Sequence, residues 1–200
     1  MATTEISKIP SNSDLLGPQK AEVLKQMDIT FVCDGLYLSD FESLSPEKIQ
    51  KRNVTTVINA ALEIPEVDIP GVAVKHLQVY DVATANINQH FDECADLIHA
   101  TKQAGASSLV HCALGISRSV TICLAYLVKY ENLTLREAYF MLKEKRHVIR
   151  PNDGFWKQLI SYEYEKRGKS TVRMLVYPMG TTPDVYKNQT SRTLGFQRRK

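Results

Sequence analysis

The chain has little cysteine, glycine and proline, and no long apolar run. Cysteine occurs four times in 200 residues, at 33, 94, 112 and 123, unclustered and without metal-ligand spacing. A disulfide scaffold or a zinc module is therefore not expected, and free thiols are the default. Nine glycines and eight prolines are too few for a low-complexity or collagen-like chain. No run of about 18 apolar residues is present, which argues against a membrane-spanning helix. The opening stretch MATTEISKIPSNSDLLGPQK lacks the apolar core of a secretory signal. Position 2 is not glycine and the C-terminus carries no prenylation box. The expected location is the cytoplasm, with the nucleus as a second compartment. His76, His90, His99 and His147 share no ligand spacing, so neither a metal nor another cofactor is expected.

Hydrophobic residues make up 44% of the chain and charged residues 24%, the balance of a soluble globular protein. The net charge of +3 is unevenly placed. Residues 166–200 hold nine Lys and Arg against one acid, for +8, while residues 1–165 hold 16 basic and 21 acidic residues, for −5. An acidic body argues against a nucleic-acid groove.

Along the chain, residues 1–27 read as a flexible leader with one short helix near 18–27. The run ITFVCDGLYLSD has two alternating segments around Asp34-Gly35, a hairpin signal. Ser45-Pro46 opens a short helix. Residues 54–61 (VTTVINAA) and 72–79 (VAVKHLQV) read as strands, 88–104 as an amphipathic helix stopped by Gly105, and 107–111 as a buried strand. Helices are expected over 117–131, 134–146 and 152–166. This order predicts an α/β fold: a central mixed, largely parallel sheet flanked by helices. The expected domain spans 28–168, with an extension at 169–190 packed on it and a basic flexible tail at 191–200.

The chemistry concentrates in SSLVHCALGISRSVTICLAYLV. A buried strand runs into His111-Cys112, a tight loop follows (Ala113, Leu114, Gly115, Ile116, Ser117, Arg118), and an apolar helix begins near Ser119. Strand, tight loop and helix N-terminus is a geometry in which backbone N–H groups converge on an anion, with the helix dipole adding positive potential. Gly115 allows a tight turn, and Arg118 can fork two N–H groups onto phosphoryl oxygens. A thiol in such a hole is expected as a thiolate at neutral pH. The expected reaction is attack of the Cys112 sulfur on phosphorus, giving a phosphocysteine that water hydrolyses. Ser119 is placed to donate to the departing sulfur, and His111 to orient the loop by hydrogen bonds.

His-Cys-x-x-Gly-x-x-Arg-Ser resembles the signature of cysteine-based protein tyrosine phosphatases, and LVHCALGISRSVTICLAYL resembles their dual-specificity branch. GLYLSD, TTVINAALEIP, RPNDGFWKQLISYE and GKSTVRM…PDVY extend the resemblance to the small atypical dual-specificity phosphatases, in the subgroup that includes mitogen-activated-protein-kinase phosphatase 6. The resemblance implies hydrolysis of phosphotyrosine and of phosphoserine or phosphothreonine in proteins, with mitogen-activated protein kinases as candidate partners. It also implies a general acid on a loop upstream of the cysteine. Asp81 matches, although Val82-Ala83-Thr84-Ala85-Asn86 follows it in place of the usual Pro- or Ser-containing loop. Asp92 and Asp96, on the expected helix, are poorer candidates. Asn152, in RPNDGF, matches the family asparagine that ties the last helices to the phosphate loop, and it also reads as a helix N-cap.

Other functions fit less well. A catalytically weak phosphoprotein-binding scaffold of the same fold would not need every chemical group present here. Phosphoinositide phosphatases of this superfamily usually carry loop lysines, where Ala113, Leu114 and Ile116 stand. Sulfur-transfer loops differ in length from the five residues between Cys112 and Arg118.

Overall fold

The computed structural model describes residues 28–66 and 68–187. The expected leader and basic tail lie outside the described residues.

A five-stranded sheet in the order β1-β2-β5-β3-β4 forms the centre. Its strands are β1 (Thr30–Cys33), β2 (Leu36–Asp40), β3 (Val54–Asn59), β4 (Ala73–His76) and β5 (Ser107–Cys112). Only β1 runs antiparallel, joined to β2 through the Asp34-Gly35 turn with Gly35 at φ +76°. The pairs β2–β5, β5–β3 and β3–β4 are parallel, so their carboxyl ends open on one edge, where α/β sheets hold ligands. β5 is central and ends on Cys112.

The expected helices form with small shifts at their ends. They are α1 (Pro46–Lys51), α2 (Phe91–Gln103), α3 (Arg118–Tyr130), α4 (Leu135–Lys145) and α5 (Asp153–Arg167). Ser45 caps α1, with its side chain accepting from Lys48 N and Pro46 at the first helical position. Thr134 and Glu137 form a reciprocal capping box at α4. The first turn of the helix expected from residue 88 is instead a 3-10 turn, Asn88–His90. The strand expected over 72–79 pairs only over Ala73–His76, because β4 is the sheet edge and has one neighbour.

The strands alternate between two apolar clusters, as period-2 geometry requires. Ile58 and Val110 face the larger cluster, while Val57 and Leu109 face a smaller one closed by Ile49 of α1. The larger cluster seats α3, whose residues from Arg118 to Val128 are all buried. This helix reads as apolar all round because it is the central helix, against α2, α4, α5 and β5. Each buried Leu, Ile or Val contributes roughly 1.5–3 kcal/mol, and this packing fixes the helix whose N-terminus forms the site.

After α5 the chain stops at Gly168 in the left-handed region, then forms a hairpin, β6 (Met174–Tyr177) and β7 (Gly180–Pro183). Val172, Val185 and Tyr186 are buried against the domain. Trp156 Nε1 donates to Tyr186 Oη at 2.7 Å, and that hydroxyl donates to Pro151 O at 3.1 Å. Tyr186→Phe leaves the buried indole N–H without its acceptor. Urea unfolding should show a loss of about 1–3 kcal/mol; an unchanged midpoint would mean that the extension does not bear on the core.

Candidate active site

The loop from Ala113 to Ser117 is held by its carbonyls. Phe41 N donates to Ala113 O at 3.3 Å, and Arg146 Nη2 to Leu114 O at 3.3 Å. Arg146 Nε donates to Gly115 O at 2.9 Å, Arg150 N to Ile116 O at 2.8 Å, and Thr121 N to Ser117 O at 2.9 Å. Five consecutive carbonyls are thus bound to the surrounding protein, which leaves the loop N–H groups free to face the concave side. One of them is seen to do so: Gly115 N–H donates to Cys112 Sγ at 3.2 Å.

Gly115 has φ +64°, and a Cβ there would lie 2.6 Å from Arg146 Nη2, 2.7 Å from Ser39 O and 2.8 Å from Asp40 N. Both the backbone conformation and the close approach of the loop to β2 require glycine.

Cys112 lies at the floor of an open cleft of about 450 Å³, whose walls include Glu63, Asp81, Leu114, Arg118, Arg150 and Asn152. The residue is buried, and its sulfur sits 3.1 Å from Ser119 Oγ in the first turn of α3. Burial pushes the Cys33 and Cys94 thiols up to about 12 and Cys123 well above its ordinary value, which leaves them as packing groups.

Asp81 is brought to the same cleft. Its Oδ1 accepts from Ser117 Oγ and from Asn152 Nδ2, each at 2.8 Å, while its Oδ2 lies 3.8 Å from Arg118 Nε. Asn152 performs both expected tasks at once: its Oδ1 accepts from Phe155 N as the N-cap of α5, and its backbone N donates to Ser117 Oγ at 3.2 Å. Ser117, in turn, does not cap α3 with its side chain, because its hydroxyl is committed to Asp81. Asp92 and Asp96 lie away from the cleft, paired with Lys129.

The loop after Asp81 is fastened by α5. Gln158 accepts from Ile87 N and Asn88 N at 2.9 Å and donates to Ala85 O at 2.9 Å. A Cβ on Gly154 would lie 1.9 Å from Ala83 O, so the loop backbone lies directly on the helix.

His111 adjoins Cys112 at the end of β5. It is buried beside Phe41, with no hydrogen-bond partner at Nδ1. Burial outweighs a backbone hydrogen bond at Cys112 and pushes its imidazole down to about 4, so the ring is neutral. Most of the side-chain hydrogen bonds that hold the loop carbonyls come from Arg146, whose side chain is 0% exposed. Besides Gly115 O and Leu114 O, Arg146 donates to Asp28 O at 3.0 Å, Thr30 Oγ1 at 3.3 Å and Asp40 Oδ2 at 3.3 Å. Asp40 also accepts from Ser43 N and Oγ.

Sequence reasoning misses Arg146, Asp40, Gln158 and Glu63. A basic residue at a helix end, an acid at a strand end and a glutamate in a turn are ordinary in those places, so nothing in the local pattern marks them. Glu63 grips Arg118: Arg118 Nη1 donates to Glu63 Oε2 at 2.7 Å and Nη2 to Oε1 at 2.5 Å. Among the described residues no group of His, Cys, Asp and Glu could hold a metal ion, and no helix is long and apolar enough to cross a membrane.

A cysteine under a loop whose carbonyls are bound outward, between the central strand and the central helix of an α/β sheet, is the arrangement expected of the cysteine-based phosphatases. Residues 36–165 match the dual specificity phosphatase catalytic domain. The chain is 45% identical over 148 residues to dual specificity protein phosphatase 14 of Bos taurus, covering 74% of this chain and 75% of that one. It is 39% identical over 160 residues to dual specificity protein phosphatase 18 of Rattus norvegicus, covering 80% and 76%. The crystal structure of human DUSP28 superposes with a TM-score of 0.67 at 32% identity, over 68% of this chain and 93% of that one. The chain belongs to the dual specificity phosphatase family, as an atypical member within the cysteine-based protein tyrosine phosphatase superfamily. Its activity is that of a protein phosphatase, and its substrates are phosphorylated proteins.

The clamp on the loop carbonyls gives a direct test. Arg146→Met removes the donors and leaves Asp40 buried without its cation. Unfolding should show a loss of roughly 3–5 kcal/mol, and binding of orthovanadate to the folded fraction should weaken. Wild-type stability with wild-type vanadate affinity would contradict the assigned role.

Proposed function

We propose that this phosphatase works through a phosphocysteine on Cys112, on phosphotyrosine and phosphothreonine or phosphoserine of signalling proteins such as mitogen-activated protein kinases. The observation that carries the mechanism is the convergence of Cys112, Arg118 and Asp81 on one cleft, with Ser119 Oγ 3.1 Å from the Cys112 sulfur.

The phosphoryl oxygens lie in the loop's N–H groups and against Arg118. The Cys112 sulfur attacks phosphorus opposite the leaving oxygen. As the S–P bond forms, the P–O bond to the tyrosine, threonine or serine oxygen breaks, and that oxygen takes a proton from Asp81. The carboxylate left behind then takes a proton from water as the water oxygen attacks phosphorus. The S–P bond breaks, phosphate leaves, and the sulfur recovers its electron pair with the Gly115 N–H and the Ser119 hydroxyl as donors.

The breadth of substrate is supported by the cleft, which is open and has Leu114 52% exposed at its rim. A short phosphothreonine and a longer phosphotyrosine can both bring phosphorus to the sulfur in such a site. The choice of kinases rests on the sequence resemblance.

Cys112→Ser should abolish turnover of an aryl phosphate yet still bind a phosphopeptide; normal turnover in that variant would end the proposal. If wild type were as inert as Cys112→Ser while binding equally well, the scaffold reading would replace it. Asp81→Asn should slow turnover most for substrates with poor leaving groups, and a loss independent of the leaving group would assign the proton to another residue.

A further inference from the structure

Two cations stand in the cleft wall, Arg118 and Arg150. Arg118 is paired with Glu63. Arg150 is not paired with any described carboxylate. Its backbone is fixed to the phosphate loop, since its N–H donates to Ile116 O at 2.8 Å. Its exposed side chain lies over the ring of Tyr186, with the guanidinium carbon 4.6 Å from the ring centroid. Asp153 feels this charge without pairing with it: burial raises the Asp153 carboxyl more than Arg150 lowers it.

Lys143 adds a second cation to the same corner. Its Nζ donates to Ile149 O at 2.9 Å. Burial, and then the charge of Arg150, pull the amine down to about 8, so it is still mostly protonated at neutral pH. Two neighbouring cations without an acid between them repel, and an anion placed beside them relieves that repulsion.

Tyr186 makes a rigid platform. It is buried, and its hydroxyl is held between Trp156 Nε1 and Pro151 O. Its ring packs against those of Tyr139 and Trp156, each with centroids 5.8 Å away. A guanidinium stacked on an aromatic ring spends its π face there. Its N–H groups lie in the plane and stay free to fork onto a carboxylate. The stack also removes rotamer freedom that a loose arginine would lose on binding.

We propose that Arg150, held on Tyr186, is a specificity residue that binds the carboxylate of an aspartate or glutamate next to the phosphorylated residue of a protein substrate. The inference rests on the reading that the phosphorylated side chain enters this cleft toward Cys112. Residues flanking that side chain must then cross the rim, where Arg150 stands. The segment after α5 thereby gains a part in substrate choice, because Tyr186 belongs to it.

The test is kcat/KM, in the full chain, on phosphotyrosine peptides that carry either glutamate or glutamine next to the phosphotyrosine, on its amino or its carboxyl side. The readout is the glutamate-to-glutamine ratio, in which the folded fraction and any general change in the cleft cancel. Wild type should prefer glutamate on one side by about 2- to 5-fold, the range of a single exposed ion pair, and the preference should fade in high salt. Arg150→Met should abolish it. Tyr186→Phe keeps the ring and should keep the preference, whereas Tyr186→Leu removes the platform and should lower it. An active wild type with no preference on either side, an Arg150→Met that retains the preference, or a Tyr186→Leu that retains it in full would overturn this inference alone. A wild type inert on every peptide and on p-nitrophenyl phosphate would overturn the underlying reading and this inference with it.

Discussion

Everything at the site depends on one constraint: the carbonyls of the phosphate loop must point outward. A peptide unit is planar, so fixing its carbonyl fixes its N–H in the opposite direction. Five successive carbonyls from Ala113 to Ser117 are bound by β2's exit, by Arg146, by Arg150 N and by α3. The concave face is then lined with donors before any substrate arrives. Arg146 is central because it binds two of these carbonyls from a fully buried position and joins them to Asp40 and to the start of β1. A buried cation with a paired carboxylate is costly to assemble but fixes geometry, and geometry is what an oxyanion site needs.

The fold supplies the rest by position. A central parallel strand ends at Cys112, and a helix buried from Arg118 to Val128 starts six residues later at Arg118. The acid loop is fixed to α5 through Gly154 and Gln158, and Asp81 is joined to the phosphate loop by Ser117 and Asn152. Acid, thiol and arginine therefore face one cleft, each held by hydrogen bonds to its surroundings. Such preorganisation lowers the barrier because little rearrangement is left for the moment of reaction.

Much of this is legible in the sequence. The Cys112 loop, its strand and its helix are contiguous, and their chemistry follows from residue types at fixed spacing. Sequence and structure agree where periodicity is strong, as in α3 and β5. They differ at β4 and before α2, where an edge strand and a 3-10 turn leave weaker patterns. The buried clamp is not legible, because Arg146 and Asp40 are 106 residues apart in sequence. Asp81 can be aligned by resemblance, but its fastening to Ser117, Asn152 and the backbone beside Gln158 cannot. His111 adjoins Cys112 in sequence and also meets it in space through a backbone hydrogen bond, beside the Phe41 ring.

The central claim is that phosphorus passes through the Cys112 sulfur. It is tested most directly by trapping. Asp81→Asn should slow hydrolysis of the adduct more than its formation from an aryl phosphate with a good leaving group. Rapid acid quenching followed by peptide mass analysis should find one added phosphoryl group, on the peptide containing Cys112 and on that residue. Turnover without any such adduct, or an adduct on another side chain, would contradict the account.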